Sequence, residues 1–387
     1  MTTILDYNSL NYAAYQPKGY PVKHKRKVPF KPNVGLNPKY REIIKEIREC
    51  DGTLEGFILS ADTYSELLNE VYSSNVHWSV KLEGNNLPLD EVKRLTTLFT
   101  KGDIKDEKRS GPAQEILNHL YSFFVRDLFR LPWNIETVLK AHSMLMEGTG
   151  TSESPGAFRE RDAAVSDANG FEFFIACPPK HIKDEIRNLA GWLETSPYDE
   201  LITSVLFFHE FESIHPFDDG NGRTGRTLFQ ILLQELGLKN CKLCRFEQEM
   251  LRSSEIYYNL LAYTDDSGDY EPLIMYTAES LLRAYKDAVV SFREKDHLKE
   301  MDENSRTIAK NAKSVKSFSV QDAAKWVPGL GEQTIRNRAN ELVTMGILEK
   351  EGKTKAMRYS FKDPFKEMKV RTKKAASTQT TFQNATK

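Results

Sequence analysis

The twelve residues from His215 to Arg226, HPFDDGNGRTGR, hold one histidine, two aspartates, three glycines, an asparagine and two arginines where packing alone would place apolar side chains. An apolar segment precedes them and the helical pattern of TLFQILLQELG follows, so DGNG reads as a loop feeding a helix N-terminus. Backbone N–H groups of such a loop converge on one spot, and the helix dipole favours negative charge there, which makes a phosphate site. Gly220 and Gly222 let a ligand approach the backbone, Asn221 adds an amide donor, and Arg223 and Arg226 form a double cation on one helical face. Pro216 and Phe217 would pin the loop entry, Phe217 by burying its ring. An acid beside a phosphate cradle repels the ligand unless a cation lies between them, so Asp218 or Asp219 implies Mg²⁺ shared with phosphate oxygens. His215 then stands as a general base, its ordinary pKa near ~6.5 suited to taking a hydroxyl proton. Singly, a His-Pro is ordinarily a helix cap, an acid pair a solvated turn and an arginine pair a surface face. Their convergence within one short stretch favours chemistry.

Other constellations are weaker. HEFESIH has His209 and Glu210, but Ser213 stands where a zinc-protease HExxH helix needs its second histidine. CKLC, Cys241 to Cys244, has metal-ligand spacing without a second pair or a nearby histidine, so reduced, partly buried thiols are expected. KHKRK, residues 23 to 27, could touch phosphates or a receptor, but a solvated charge cluster is the expectation.

The elements that must position these residues are mostly helical. Apolar residues recur at i, i+3, i+4, i+7 in KYREIIKEIREC, AQEILNHLYSFFVRDLF, IKDEIRNLAGWLE, LITSVLFFHEFESI and TLFQILLQELG. PYDELITSVLFFHEF is apolar on most faces, which predicts a central buried helix. FRERDAAVSDANGFEFFIACPP breaks the pattern with weak alternation around Ala168-Asn169-Gly170 and a closing Pro pair, the signals of a β-hairpin flap. Further on, SVQDAAKWV and EQTIRNRANELVTMGIL read as helices around the turn PGLG, and EKEGKTKAMRYSF offers two strands around Glu351-Gly352. Helix, turn, helix, hairpin is the order of a winged helix. The expected organisation is an arm over residues 1–34, a catalytic region over 35–298, a winged-helix domain over 303–362 and a disordered basic tail over 363–387.

Composition narrows the partners. Among 387 residues, 54 Lys and Arg nearly cancel 55 Asp and Glu, so nucleic acid or an anionic membrane must be served by a local patch. No apolar run approaches the ~18 to 20 residues of a membrane span, and the start lacks a signal-peptide pattern. Four cysteines are too few for a disulfide scaffold. The expectation is a cytoplasmic protein without membrane contact.

The stretch HPFDDGNGRTGR matches H-x-F-x-[DE]-G-N-G-R-x-x-R at every specified position, and from about residue 60 to 295 the chain resembles the helical Fic fold. Most Fic enzymes transfer AMP from ATP to a Tyr, Ser or Thr hydroxyl of a protein. The resemblance implies that His215 deprotonates the target hydroxyl and that Asp219 is the Mg²⁺ ligand. It further implies that Asn221 with the Gly220 and Gly222 amides forms the anion hole, that Arg223 and Arg226 hold the β and γ phosphates, and that Thr224 and Gly225 belong to the same nucleotide-binding turn. Phe173, Phe174, Ile175 and Ala176 hold the place of the flap that clamps nucleotide and target, where edge pairing of a target strand would be β-augmentation. Tyr257, Tyr258 and Asn259 hold the place of a base pocket, with ordinary helix packing as the competing account. SVKLEGN, residues 79 to 85, fits the inhibitory signature [ST]-x-x-x-E-[GN] through Ser79, Glu83 and Gly84. Glu83 is then expected to pair with Arg226 in the γ-phosphate position, from a helix near 79–85.

The reading is a mostly α-helical protein adenylyltransferase using Mg·ATP, restrained by Glu83, with ATP and a hydroxyl-bearing protein as partners. Removal of AMP by the same site is the alternative within the family. A DNA-binding regulator with a nucleotide-sensing body is the alternative outside it, resting on Arg336, Asn337 and Asn340 of a potential recognition helix. Nucleic acid is not favoured, because the C-terminal basic excess is mild. A homodimer stays open.

Overall fold

A computed structural model describes residues 11–104, 111–166, 170–297, 301–353 and 356–363. Its helices are α1 (Lys39–Gly56), α2 (Ala61–Leu82), α3 (Leu89–Lys101), α4 (Gly111–Phe124), α5 (Ile135–Met146), α6 (Pro179–Trp192), α7 (Glu200–Ile214), α8 (Asn221–Leu236), α9 (Phe246–Met250), α10 (Ser254–Ser267) and α11 (Glu271–Glu294). Three more, α12 (Glu303–Lys313), α13 (Val320–Ala324) and α14 (Glu332–Thr344), belong to the C-terminal module. Among the described residues no helix is long and apolar enough to cross a membrane.

Helix α7 is the axis of the body. Asp199 caps it by accepting from the N–H groups of Leu201 and Ile202, and every residue from Leu201 to Phe211 is buried. A helix apolar on all sides must be covered on all sides, and α6, α8 and α11 pack against it. Helix α1 lies along α11, burying Ile43, Ile44 and Ile47, while α2 is covered by α3, α4 and α9. One continuous core runs from Phe30 to Phe292.

A three-stranded sheet lies over this body in the order β1-β3-β2, where β1 is Val22–Lys23, β2 is Ala164–Ser166 and β3 is Glu172–Ile175. β2 and β3 form the antiparallel hairpin expected of the flap. Residues 167–169, with the expected Ala168-Asn169 turn, lie outside the described residues.

In the C-terminal module α13, α14 and the antiparallel pair β4 (Leu348–Glu351) and β5 (Arg358–Phe361) follow the expected order. Helix α12, which that order did not include, completes the core with Ile308 beside Ile335, Leu342 and Tyr359. The boundary drawn at 298 is incomplete, because Ile58, from the α1–α2 connection, is buried in this second core. A backbone bond from Ala61 N–H to Gly346 O (3.1 Å) and a side-chain bond from Lys313 Nζ to Glu55 O (2.7 Å) fasten the same junction. The expected tail lies outside the described residues from 364 onward.

Candidate active site

His215 caps α7 at φ 51, the one non-glycine residue with positive φ among those described. That left-handed turn costs on the order of 1 kcal/mol and points the chain into the loop 216–220. The ring Nδ1–H donates to Glu212 O (3.3 Å), and burial pushes the imidazole down to about 4. The ring is therefore neutral near pH 7, with the lone pair on Nε2 free to accept a proton. Arg159 fixes this turn: its Nε donates to His215 O (2.7 Å), its Nη2 to Cys177 O and Ile214 O, and its N–H to Pro216 O (3.0 Å).

The loop is held from inside. Phe217 is fully buried and stacks on His142, ring centroids 3.7 Å apart, as its expected pinning role requires. His142 Nδ1 accepts from Gly156 N–H (2.9 Å), so its Nε2–H donates to Asp219 O (2.9 Å). Asn221 departs from the expectation of an anion donor. Its Nδ2 donates to Phe217 O and its Oδ1 accepts from Phe217 N–H, both at 2.8 Å, so its amide is committed to closing the loop. The anion hole is left to backbone. Thr224 N–H is the first in α8 to find the acceptor one turn back, Gly220 O (3.0 Å), so the N–H groups of Asn221, Gly222 and Arg223 are the helix's open donors.

A carboxylate already sits at that end of α8. A Cβ on Gly222 would run into Glu83 Oε1 and Arg226 Nη1, which explains the glycine. Arg226 is buried; its Nη2 donates to Glu83 Oε1 (2.7 Å) and Ser79 O (3.0 Å), and its Nε to Ser79 Oγ (3.0 Å). The expected Glu83–Arg226 pair is thus present, with one refinement. α2 stops at Leu82, Glu83 is its C-cap, and Gly84 turns away at φ 88, which is why Gly or Asn suits that position.

Of the two aspartates, Asp218 is exposed and Asp219 faces inward. Arg223 Nη2 donates to both Asp219 oxygens (3.0 Å each) and Nη1 lies 3.3 Å from Glu115. Burial works to raise the Asp219 pKa, but Arg223 and the Gly220 N–H hold it below the usual range, so the carboxylate is ionised. One ionised, one-third-exposed carboxylate beside open phosphate donors fits Mg²⁺, which is commonly held by one protein acid plus ligand phosphates. At Gly225 a Cβ would meet the Glu212 carboxylate and the Phe211 ring, so the glycine allows the close approach of α7 and α8. Thr224 is fully buried.

The expected base pocket divides. Tyr257 is buried against Phe208 with its hydroxyl in hydrogen-bonding reach of Arg226, whereas Tyr258 is exposed. Asn259 Oδ1 accepts from Tyr20 OH (3.2 Å), whose ring packs edge-on against Phe173 and Phe171. The arm therefore reaches the site. Val22 and Lys23 pair with Phe174 and Ile175 in parallel, and His24 N–H donates to Ile175 O (2.8 Å). β3 has β2 on one side and, at Phe174 and Ile175, the arm's β1 on the other, so the arm occupies that part of the edge expected to take a target strand, while its pairing does not extend to Glu172 and Phe173.

KHKRK is solvated only in part: Lys23, Lys25 and Arg26 are exposed, whereas His24 and Lys27 turn inward and anchor the arm. His24 bonds Glu185 Oε2 through Nε2 (2.8 Å) and Ser213 Oγ through Nδ1 (2.9 Å), Lys27 donates to Glu210 (2.6 Å) and Arg26 to Asp184 (2.7 Å). Cys177 joins His24 and Glu185 within 4.8 Å, but hydrogen bonds already use both ring nitrogens. Cys241 and Cys244 are buried free thiols, as expected.

Residues 132–233 match the Fic/DOC family. The chain carries a Fic domain. It is 37% identical over 87 residues to a probable protein adenylyltransferase, aq_aa38, of Aquifex aeolicus, covering 22% of this chain and 26% of that protein. It is 22% identical over 218 residues to the protein adenylyltransferase fic-1 of Caenorhabditis elegans, covering 55% of this chain and 40% of that one. The chain thus spans well under half the length of these curated relatives. A Fic family protein from Desulfovibrio desulfuricans G20 shares the fold, with a TM-score of 0.59 and 23% identity over 86% of this chain and 98% of that one. Arg159, Glu212 and Glu247 complete the site around the Fic motif without having been signalled by sequence. Arg159 and Glu247 lie far from the motif in the chain, and Glu212, one turn before His215, reads as a plain surface acid of a helix end.

Proposed function

We propose that the chain is a protein adenylyltransferase that moves AMP from Mg·ATP to a Tyr, Ser or Thr hydroxyl of a target protein or of itself, and that Glu83 restrains it. One observation carries the reading: a carboxylate occupies the N-terminus of α8 on Arg226, at the far end of a short loop from a neutral imidazole. The names of the relatives support the nucleotide. In the forward reaction His215 Nε2 takes the hydroxyl proton as the oxygen bonds to the α-phosphorus, and the bond to the β-phosphate oxygen breaks, releasing pyrophosphate. The open N–H groups of α8 and the Arg226 guanidinium hold phosphate oxygens once Glu83 withdraws. Asp219 would hold Mg²⁺, which neutralises charge between phosphates and leaving group.

Hydrolytic removal of AMP from a target is the second reading, favoured by the 23% exposure of the Glu83 side chain, within reach of water. The C-terminal module is read as orienting the body, a reading supported by its attachment at residues 55–61. Intact mass after incubation with Mg·ATP tests the proposal. Glu83→Gly should gain AMP, Glu83→Gly with His215→Ala should not, and Asp219→Ala should lose Mg²⁺-dependent labelling. Equal labelling with and without His215 would remove it from its role.

A further inference from the structure

Two buried carboxylate oxygens near Arg226 lack a hydrogen-bond donor among the described residues. Besides Glu83, Glu247 Oε2 lies 3.8 Å from the Arg226 Nε. Glu247, on α9, is completely buried; its Oε1 accepts from Gln230 (2.7 Å), and its Oε2 has no hydrogen-bond partner among the described residues. Its N–H donates to Asn75 Oδ1 (3.2 Å) on α2, which also ties α2 to Cys244 O, so Glu247 cannot leave as Glu83 can. Glu212, on α7, is the third acid. Its Oε1 lies buried against Gly225, the residue before Arg226 in α8, and also lacks a hydrogen-bond partner among the described residues.

A buried carboxylate oxygen without a donor is costly when charged, and the cost disappears when the group is protonated. Replacing the single charge of Glu83 by a polyphosphate raises the negative potential at both acids. We propose that Glu212 and Glu247 are proton-carrying residues of the anion site, each taking up or keeping a proton from solvent when a polyphosphate replaces Glu83 on Arg226, so that nucleotide entry is coupled to proton uptake. This rests on the reading of Arg226 as a phosphate ligand. The surroundings agree. Glu212 meets Arg226 of α8, Glu83 at the C-cap of α2 and Tyr257 and Tyr258 of α10 as charged or titratable neighbours, and burial brings it up to about 8. Glu247 meets Arg226, Arg126, Glu83 and the Ser79 hydroxyl, and burial outweighs the two arginines and that hydroxyl to bring it to about 7. His119, 3.8 Å from Glu247, supplies no cation, because burial and the nearby arginines push it down to about 3. Both acids therefore sit near the pH at which a small change in potential moves a proton.

Calorimetric titration of the full chain and of Glu83→Gly, in buffers of different ionisation enthalpy at about pH 7.5, counts the protons. Mg·ATP should bind with net proton uptake and AMP with little, and ATP affinity should rise as pH falls toward about 6.5. Glu247→Gln and Glu212→Gln should each reduce the uptake, and together they should abolish it. Both changes keep the side-chain shape, so their melting temperatures at about pH 8 should be no lower than that of the unaltered chain. ATP binding without uptake, or uptake that survives in the double variant, would overturn the proposal alone. Failure of ATP to bind either chain would overturn the phosphate reading and this proposal with it.

Discussion

On the proposed role of His215 as general base, its burial predicts the pH range of the reaction. A base acts deprotonated, so with the imidazole pushed down to about 4, transfer at saturating Mg·ATP should hold as pH falls past the ordinary histidine range and decline only toward about 4. A decline centred near ~6.5 in the pH–rate profile of Glu83→Gly would show an unshifted base. His215→Ala should abolish transfer while leaving ATP affinity within a few-fold, since the ring touches the hydroxyl and hardly the ground-state nucleotide. Glu83→Gly should raise transfer. A carboxylate and a guanidinium ~4 Å apart attract by about 4 kcal/mol at an effective dielectric near 20, and desolvation offsets much of it. A residual ~1.5 to 3 kcal/mol predicts roughly ten- to a hundred-fold activation, read as turnover, and unchanged transfer in a folded protein would sink the inhibitory reading. These residues were legible because the motif places them within a few positions of one another. Asn221 was legible as a residue of the site but not as a clamp, because the direction of an amide depends on which backbone groups the closed loop leaves to bond.

Helices were legible at the scale of elements wherever the apolar period ran over several turns, as in α1, α6 and α7, and the flap was legible from its alternation and its prolines. The arm was not, because a two-residue strand has no period, and its anchoring comes from acids lying far along the chain. Two of its anchoring acids are buried: Glu185 and Glu210 have side chains 2% exposed, with Asp265 beside them, whereas the Arg26–Asp184 pair is half-exposed. Lys27 keeps its charge, since Glu210, Tyr270 and Asp265 outweigh its burial and raise its pKa. Lys27→Ala would remove the cation that holds the buried Glu210 carboxylate ionised, leaving Glu210 to stay unpaired or take up a proton, a cost of up to about 3 kcal/mol. Amide exchange at the strand bond from His24 to Ile175 should quicken in the same variant. Adding Glu210→Gln should recover part of the loss, because the unpaired carboxylate goes with it. A Lys27→Ala protein as stable as its parent would mean that the arm is held by strand pairing and aromatic contacts alone.

Across the whole molecule, buried titratable groups oppose one another, and their windows set where the fold is most stable. His119, His142 and His215 are pushed down to about 3, 4 and 4, and His209 well below its ordinary value, chiefly by burial. An unfolded chain takes up protons at these sites below ~6.5, so they stabilise the fold above that pH and progressively less as pH falls toward their folded values. Glu212, Glu247 and Asp265 run the other way, raised to about 8, 7 and 7 by burial. Their folded forms hold protons that the unfolded chain has released above ~4.5, so their contribution is complete in acid and is lost as pH rises through 7 to 8. Between about pH 4.5 and 6.5 the two sets largely cancel. Above ~6.5 the histidines have no more to give, and only the acids still titrate. Stability without nucleotide should therefore pass its best near about pH 6 and fall by on the order of 2 kcal/mol by about pH 8.5, a drop of a few degrees in Tm. Glu212→Gln with Glu247→Gln should flatten that alkaline limb and leave the acid limb, which belongs to the histidines, in place. A Tm that climbs steadily from about pH 6 to 8.5 would mean that these three carboxyls are already ionised in the folded protein.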